Sequence, residues 1–268
     1  MSDPKGEALI KAANAADPEM VQDLVDHGAP VDARNKTGWT PLMAVANKGH
    51  LELVQYFAGK GAAIDARNEN GWTPLMWAAL KGYADVVRFL ADRGADLDAR
   101  GEDGNPPLIL AASGGFLEIV RLLLDRGVAV ATLNKHGQLP LMAAARLGRL
   151  DVVRLLVERG ADLDDGGHEG NPPLLLAVIG GHLDVARLLL DQGAQVDVRS
   201  KKGLTPLMAA AKSGNLEAVR LFVERGADVN ARNDYGKSAH LLAVKDHHPD
   251  VADFLAQHGA IPAPAPTP

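Results

Sequence analysis

Seven glycines, Gly38, Gly71, Gly104, Gly137, Gly170, Gly203 and Gly236, stand 33 residues apart without a slip. A period of this size excludes most globular folds. It is the mark of a stacked solenoid, in which each repeat buries its apolar face only against its neighbours.

The repeating unit is legible from Asn68 onward. Thr73 is a good N-cap, and Pro74 suits the first helical position, where its missing N–H would be unpaired anyway. Leu75, Ala78 and Ala79 share one face at helical spacing. Gly82 then stops this short helix, as glycine just past a helix end does. A second apolar stretch, Val86 to Leu90, makes a second helix, which Gly94 stops. The polar, glycine-containing residues that follow are too few for a third. Each unit therefore reads as helix, turn, helix and hairpin-like loop.

This pattern resembles the ankyrin repeat, a family with a 33-residue period and the signature Thr-Pro-Leu-His-x-Ala. Thr40-Pro41-Leu42-Met43, Thr73-Pro74-Leu75-Met76 and Thr205-Pro206-Leu207-Met208 carry the signature with Met in the His position. The stretch Gly226 to Ala231, Gly-Ala-Asp-Val-Asn-Ala, matches the family's downstream text. The resemblance covers residues 7–261. It implies an all-α fold with β-hairpin-like loops, a curved ankyrin-repeat solenoid forming one domain. Its units are expected at 7–34, 35–67, 68–100, 101–133, 134–166, 167–199, 200–232 and 233–261, the first and last serving as capping repeats. Met for His removes an imidazole and inserts a flexible apolar side chain, which alters the bracing of the turn and leaves the fold. Residues 1–6 are expected to be flexible, and 262–268, Pro-Ala-Pro-Ala-Pro-Thr-Pro, to be an extended solvated tail.

A longer period lies inside the first. Gly104 to Ala111 returns as Gly170 to Ala177, 66 residues on, and the intervening units also match. We read this as a duplication of two repeats. In the Asn-Pro-Pro units the capping hydroxyl is lost, and Asn105 and Asn171 are expected to cap one residue earlier.

Composition narrows function by exclusion. The net charge of −6 argues against nonspecific binding of nucleic acid, which needs a basic surface. No run of 18 apolar residues exists, so nothing is expected to insert in a membrane. The first residues lack the apolar core of a signal peptide, and the cytoplasm is the expected location. Zero cysteines exclude disulfides, thiolate zinc sites and a cysteine nucleophile. Phosphate-loop, zincin and nucleophile-elbow motifs are missing. The chain is therefore expected to be a non-enzyme, without cofactor or metal, and a monomer. His240, His247, His248 and Asp250 gather in the last repeat, but zinc needs three or four converging ligands. They read instead as a polar cap. Rings at one repeat position, His50, Tyr83, Phe116 and His182, are expected to pack in the turn. The acid–arginine pairs Asp85/Arg88, Glu118/Arg121, Asp151/Arg154, Asp184/Arg187 and Glu217/Arg220 read as i, i+3 pairs on a solvated outer face.

The ankyrin resemblance implies that a partner docks in a concave groove formed by the loop tips and the inner face of the first helices. Two columns of the repeat stand out there. The residue after the loop glycine is Trp39, Trp72, Asn105, Gln138, Asn171, Leu204 and Lys237 in successive units. On the first helix of the third unit, Trp77, Leu80 and Lys81 share a face. All three tryptophans of the chain map to this surface, and tryptophan is enriched among interface hot spots. Trp39 and Trp72 are expected to be exposed, whereas Trp77 either faces the partner or packs between repeats. Arg34, Arg67 and Arg100, with Arg199 and Arg232, form a second stripe. They either grip a partner's carboxylates or pair with loop acids such as Asp32, Asp65 and Asp98. The expected function is a non-catalytic protein–protein interaction scaffold. The alternative is an accessory module that holds a small anion or metal in support of an enzyme.

Overall fold

The computed structural model describes residues 3–261; the expected tail at 262–268 lies outside the described residues. Sixteen α-helices and no strand occur among them. The chain divides into two compact units, one ending at Lys135 and the other starting at His136. The first holds α1 (Pro4–Ala15), α2 (Pro18–Asp26), α3 (Pro41–Lys48), α4 (Leu51–Gly59), α5 (Pro74–Lys81), α6 (Ala84–Asp92), α7 (Pro107–Gly114) and α8 (Leu117–Asp125). The second holds α9 (Pro140–Arg146), α10 (Leu150–Glu158), α11 (Pro173–Ile179), α12 (Leu183–Asp191), α13 (Pro206–Lys212), α14 (Leu216–Glu224), α15 (Ala239–Lys245) and α16 (Pro249–Gln257).

Capping chemistry sets where the first helix of each repeat begins. Thr40, Thr73 and Thr205 accept the amides of Met43, Met76 and Met208, each at 3.3 Å. Such a cap is worth about 1 kcal/mol. In the two Asn-Pro-Pro repeats Pro106 and Pro172 occupy the N-cap, with no side-chain hydrogen bond. Asn105 does not cap, contrary to expectation. Its amide donates to Asp103 and accepts from Asn134, both at 2.8 Å. The proline that follows holds Asn105 extended, and Pro106 occupies the N-cap position.

The first helices are core and the second helices are half core. Six of the eight residues of α3 are buried, against three of nine in α4. Met43, Met76 and Met208 are fully or almost fully buried, so the apolar exchange at the family's His position fills the core. Among second helices the polar pairing differs from the i, i+3 expectation. Arg88 reaches Glu118 of the next repeat at 2.7 Å, and Arg187 reaches Glu217 at 3.1 Å. Asp85 and Asp184 are each taken by the amide of the following residue at 2.8 Å. A guanidinium arm spans the gap between stacked helices more easily than it folds back on its own turn. All four partners are largely exposed, so each pair is worth no more than about 1 kcal/mol.

The amino terminus also differs from expectation. Helix α1 starts at Pro4, inside the stretch expected to be flexible, because Asp3 caps it by accepting the Lys5 amide at 3.1 Å. The Lys5 ammonium ties this turn to the His27 carbonyl at 2.8 Å.

One backbone conformation recurs at the end of every first helix. Gly49, Gly82, Gly115, Gly148, Gly181 and Gly214 all have positive φ. Ala16 (φ 56°) and His247 (φ 64°) hold the same place in the terminal repeats. A side chain there costs about 1–2 kcal/mol, partly offset by the lower entropy of a non-glycine unfolded chain. Ala16→Gly and His247→Gly are therefore each expected to stabilise the protein by about 0.5–1 kcal/mol in urea denaturation. Gly82→Ala should do the reverse and cost more than about 1 kcal/mol, since its Cβ would also meet the Phe116 ring.

A tryptophan cluster as the candidate partner site

The hairpin loops place two of the three indoles. In the first hairpin the Asn35 amide donates to the Trp39 carbonyl at 3.1 Å. The Asn35 side chain accepts the Trp39 amide at 2.9 Å. Asn68 and Trp72 repeat both bonds at 3.1 and 2.8 Å. Adjacent hairpins are joined by backbone bonds, Glu69 N–H to the Thr37 carbonyl at 3.1 Å and Glu102 N–H to the Asn70 carbonyl at 2.8 Å. Trp39 and Trp72 thus sit at fixed points on a hydrogen-bonded row of loops.

The third indole rises from α5 between them. Trp77 lies 4.8 Å from Trp39 and 4.5 Å from Trp72 between ring centroids, tilted by 35° and 36°. Offset aromatic contacts of this kind are worth about 0.5–1.5 kcal/mol each beyond burial. Trp39 and Trp72 are half-buried rather than exposed as expected, because each covers a face of Trp77. Trp77 is likewise half-buried, so it belongs both to the packing and to the surface. Its Nε1 is buried and meets no acceptor among the described residues. Neither does the buried Oδ1 of Asn47 on α3 meet a donor. Leaving such groups unpaired costs about 1–3 kcal/mol each.

Below the indoles lies an apolar bed. Trp72 and Leu80 pack on Met76, Ala99 and Leu110. Gly101 makes room for Trp72; a Cβ there would stand 2.7 Å from its Cδ1 and Nε1. Sequence reasoning did not single out Gly101. The signal was present, since the equivalent residues Asn35 and Asn68 brace their hairpins and Gly101 gives up that bond. Lys81 is exposed in the last turn of α5, where a cation is favoured by the helix dipole.

The arginine stripe stitches the loops. Arg34 donates to the Arg67 carbonyl at 2.7 Å, and Arg67 to the Arg100 carbonyl at 2.9 Å. Arg100 donates to the Leu133 carbonyl and, at 3.0 Å, to the Thr132 hydroxyl. Of the two sequence alternatives, pairing with the nearby upstream acids is not what occurs. Asp32 and Asp65 take backbone amides of the next repeat instead. Asp32 accepts from Ala63 at 2.9 Å and Asp65 from Asp96 at 3.0 Å. Only Arg67 also approaches a carboxylate, Asp96 at 3.5 Å.

The histidines serve the turns. The rings of Tyr83, Phe116, His182 and His248 each cover the turn glycine of the preceding repeat, Gly49, Gly82, Gly148 and Gly214 respectively. His248 also bonds the Lys212 carbonyl at 3.1 Å. His240 is buried, with no partner at Nδ1, and His247 is exposed. Among the described residues no group of three or more His, Cys, Asp or Glu converges in a way that could hold a metal. Among the described residues no helix is long and apolar enough to cross a membrane.

Helix pairs stitched from repeat to repeat, with variable residues at fixed loop and helix positions, define a repeat protein. A family model for ankyrin repeats, in three copies, matches residues 9–101, 94–167 and 174–263, and the chain belongs to the ankyrin repeat family. Ankyrin repeats are in general non-catalytic modules of protein–protein interaction. The crystal structure of the human ASB11 ankyrin repeat domain is similar, with 28% sequence identity and a TM-score of 0.77. The match covers 84% of this chain and 100% of that one. A comparison with curated proteins finds no match.

Because these three indoles are the only tryptophans, intrinsic fluorescence reports on this cluster alone. Gly101→Ala is expected to displace Trp72 toward water and red-shift the emission, whereas Gly59→Ala on α4, which would meet no atom within 4 Å, should leave the emission unchanged.

Proposed function

We propose that the protein is a non-catalytic scaffold that captures a partner protein on the Trp39–Trp72–Trp77 face of its first unit. The observation that carries this reading is the convergence of every tryptophan of the chain on one half-buried surface. Core packing alone would not call for indoles at the hairpin tips, where other repeats carry Asn, Gln, Leu or Lys. The cluster is held by its own ring contacts and by backbone bonds, so a partner loses little side-chain entropy in meeting it. Leu80 extends the apolar surface and Lys81 supplies a charged edge. Arg34, Arg67 and Arg100 stand on the neighbouring loop tips. Each guanidinium has more N–H groups than its carbonyl bonds use, which leaves donors for a partner's polar rim.

The chemistry asks for an apolar or aromatic anchor on the partner. Trp39→Ala and Trp72→Ala are expected to weaken capture about thirtyfold or more, the effect of losing a hot-spot residue. Far-UV circular dichroism should stay helical. A pull-down read by mass spectrometry, with Trp39→Phe as a conservative control, checks this. Capture of the same proteins by wild type and both alanine variants would overturn the reading.

A further inference from the structure

The second unit carries a different chemistry in the same columns of the repeat. The position after the loop glycine, Trp39, Trp72 and Asn105 in the first unit, is Gln138, Asn171, Leu204 and Lys237 here. The helix position held by Asn47, Leu80 and Ser113 is Arg146, Ile179, Lys212 and Lys245. These lysines join Lys201 and Lys202 of the intervening loop to line a cleft of 580 Å³. Five lysines face two carboxylates there, Glu169 and Asp246, in a chain whose net charge is −6. The Lys201 ammonium is bonded to the His168 carbonyl. Lys202, Lys212, Lys237 and Lys245 form no ion pair and no side-chain hydrogen bond among the described residues. Unpaired like charges in one depression repel each other, and a counter-charge brought by a ligand relieves that repulsion.

We propose that this cleft is a second docking site, and that it takes an extended acidic segment of a partner protein. Three features select that occupant. The ammonium groups come from two loops and from the last turns of α13 and α15, so they are spread along the cleft rather than aimed at one point. Lysines are point charges without the fork that grips a compact phosphate bidentately. Between them lie Leu204, Leu242 and Tyr235, the last 66% exposed, which offer apolar contact to the side chains between successive carboxylates. Ile179, one repeat earlier in the lysine column, is 57% exposed and continues that apolar surface. A nucleic acid strand would bring a denser negative charge against a chain already negative overall. The site uses no residue of the tryptophan face.

The test is fluorescence anisotropy of the full chain with a fluorescein-labelled oligoglutamate peptide. Binding is expected to fall as salt rises. The double variant Lys212→Glu/Lys245→Glu should weaken it about tenfold or more. Lys212→Gln/Lys245→Gln should weaken it less, with unchanged circular dichroism in both, since both side chains are exposed. Trp39→Ala should leave peptide affinity within about twofold, so this site and the tryptophan face can each fail alone. Equal binding of a glycine–serine peptide, or no effect of charge reversal, would overturn the proposal. So would displacement of the peptide by a single-stranded oligonucleotide at lower concentration, which would reassign the cleft to nucleic acid.

Discussion

The residue in left-handed conformation that ends each first helix governs the rest of the structure. It recurs at 16, 49, 82, 115, 148, 181, 214 and 247. Its dihedrals turn the chain into the second helix within two residues. Where it is glycine, its bare Cα also provides the seat for the ring of the following repeat, as Gly49 does for Tyr83 and Gly82 for Phe116. Local backbone sterics and repeat-to-repeat packing therefore meet at one position. In the column of those rings Asn215 caps instead, accepting the Ala218 amide at 3.0 Å, whereas Arg149 makes no side-chain cap. Ala16 and His247 mark where the requirement slackens, in the first and last of the described repeats.

A second layer of order comes from side chains bonded to backbone. The arginines reach a carbonyl and the aspartates an amide of the next repeat. Neither needs a particular side chain in its partner. Peptide groups that a loop would otherwise leave to water are satisfied in this way. The bonds hold the hairpins in line in both units; in the second, Arg199 reaches the Arg232 carbonyl and Asp197 takes the Asp228 amide. Surface ion pairs between second helices add little by comparison.

Most of the fold was legible because it is written many times. Thr73, Pro74 and Gly82 each had a local physical reason, and repetition turned each reason into a register. The candidate site was legible only as a list of columns. The sequence placed Trp39, Trp72 and Trp77 on one face, but mutual burial of three indoles depends on how far one repeat stands from the next. That distance is set by packing and not by spacing along the chain. The same limit hid the partners of the charges. An i, i+3 match in sequence is always visible, whereas the reach of Arg88 to Glu118 is a property of the stack. The misplaced cap at Asn105 was a local error of another kind, since α7 keeps the start its period predicts, at Pro107, and Pro106 takes the N-cap position. The first turn of α1 escaped notice because the text before residue 7 is not repeated anywhere.

The loop stitching separates what this chain can change from what it must keep. Bonds to peptide groups 31 and 33 residues away fix the length of the repeats they join. They are indifferent to which residue supplies the carbonyl or the amide. An insertion of one residue would break a whole row of them, but a substitution in an open column breaks none. Recognition in such a molecule is free to drift by point mutation from indole to ammonium along a single column while the backbone stays in place. A frame that is rigid in length and tolerant in composition lets one chain display two unlike surfaces without a second fold.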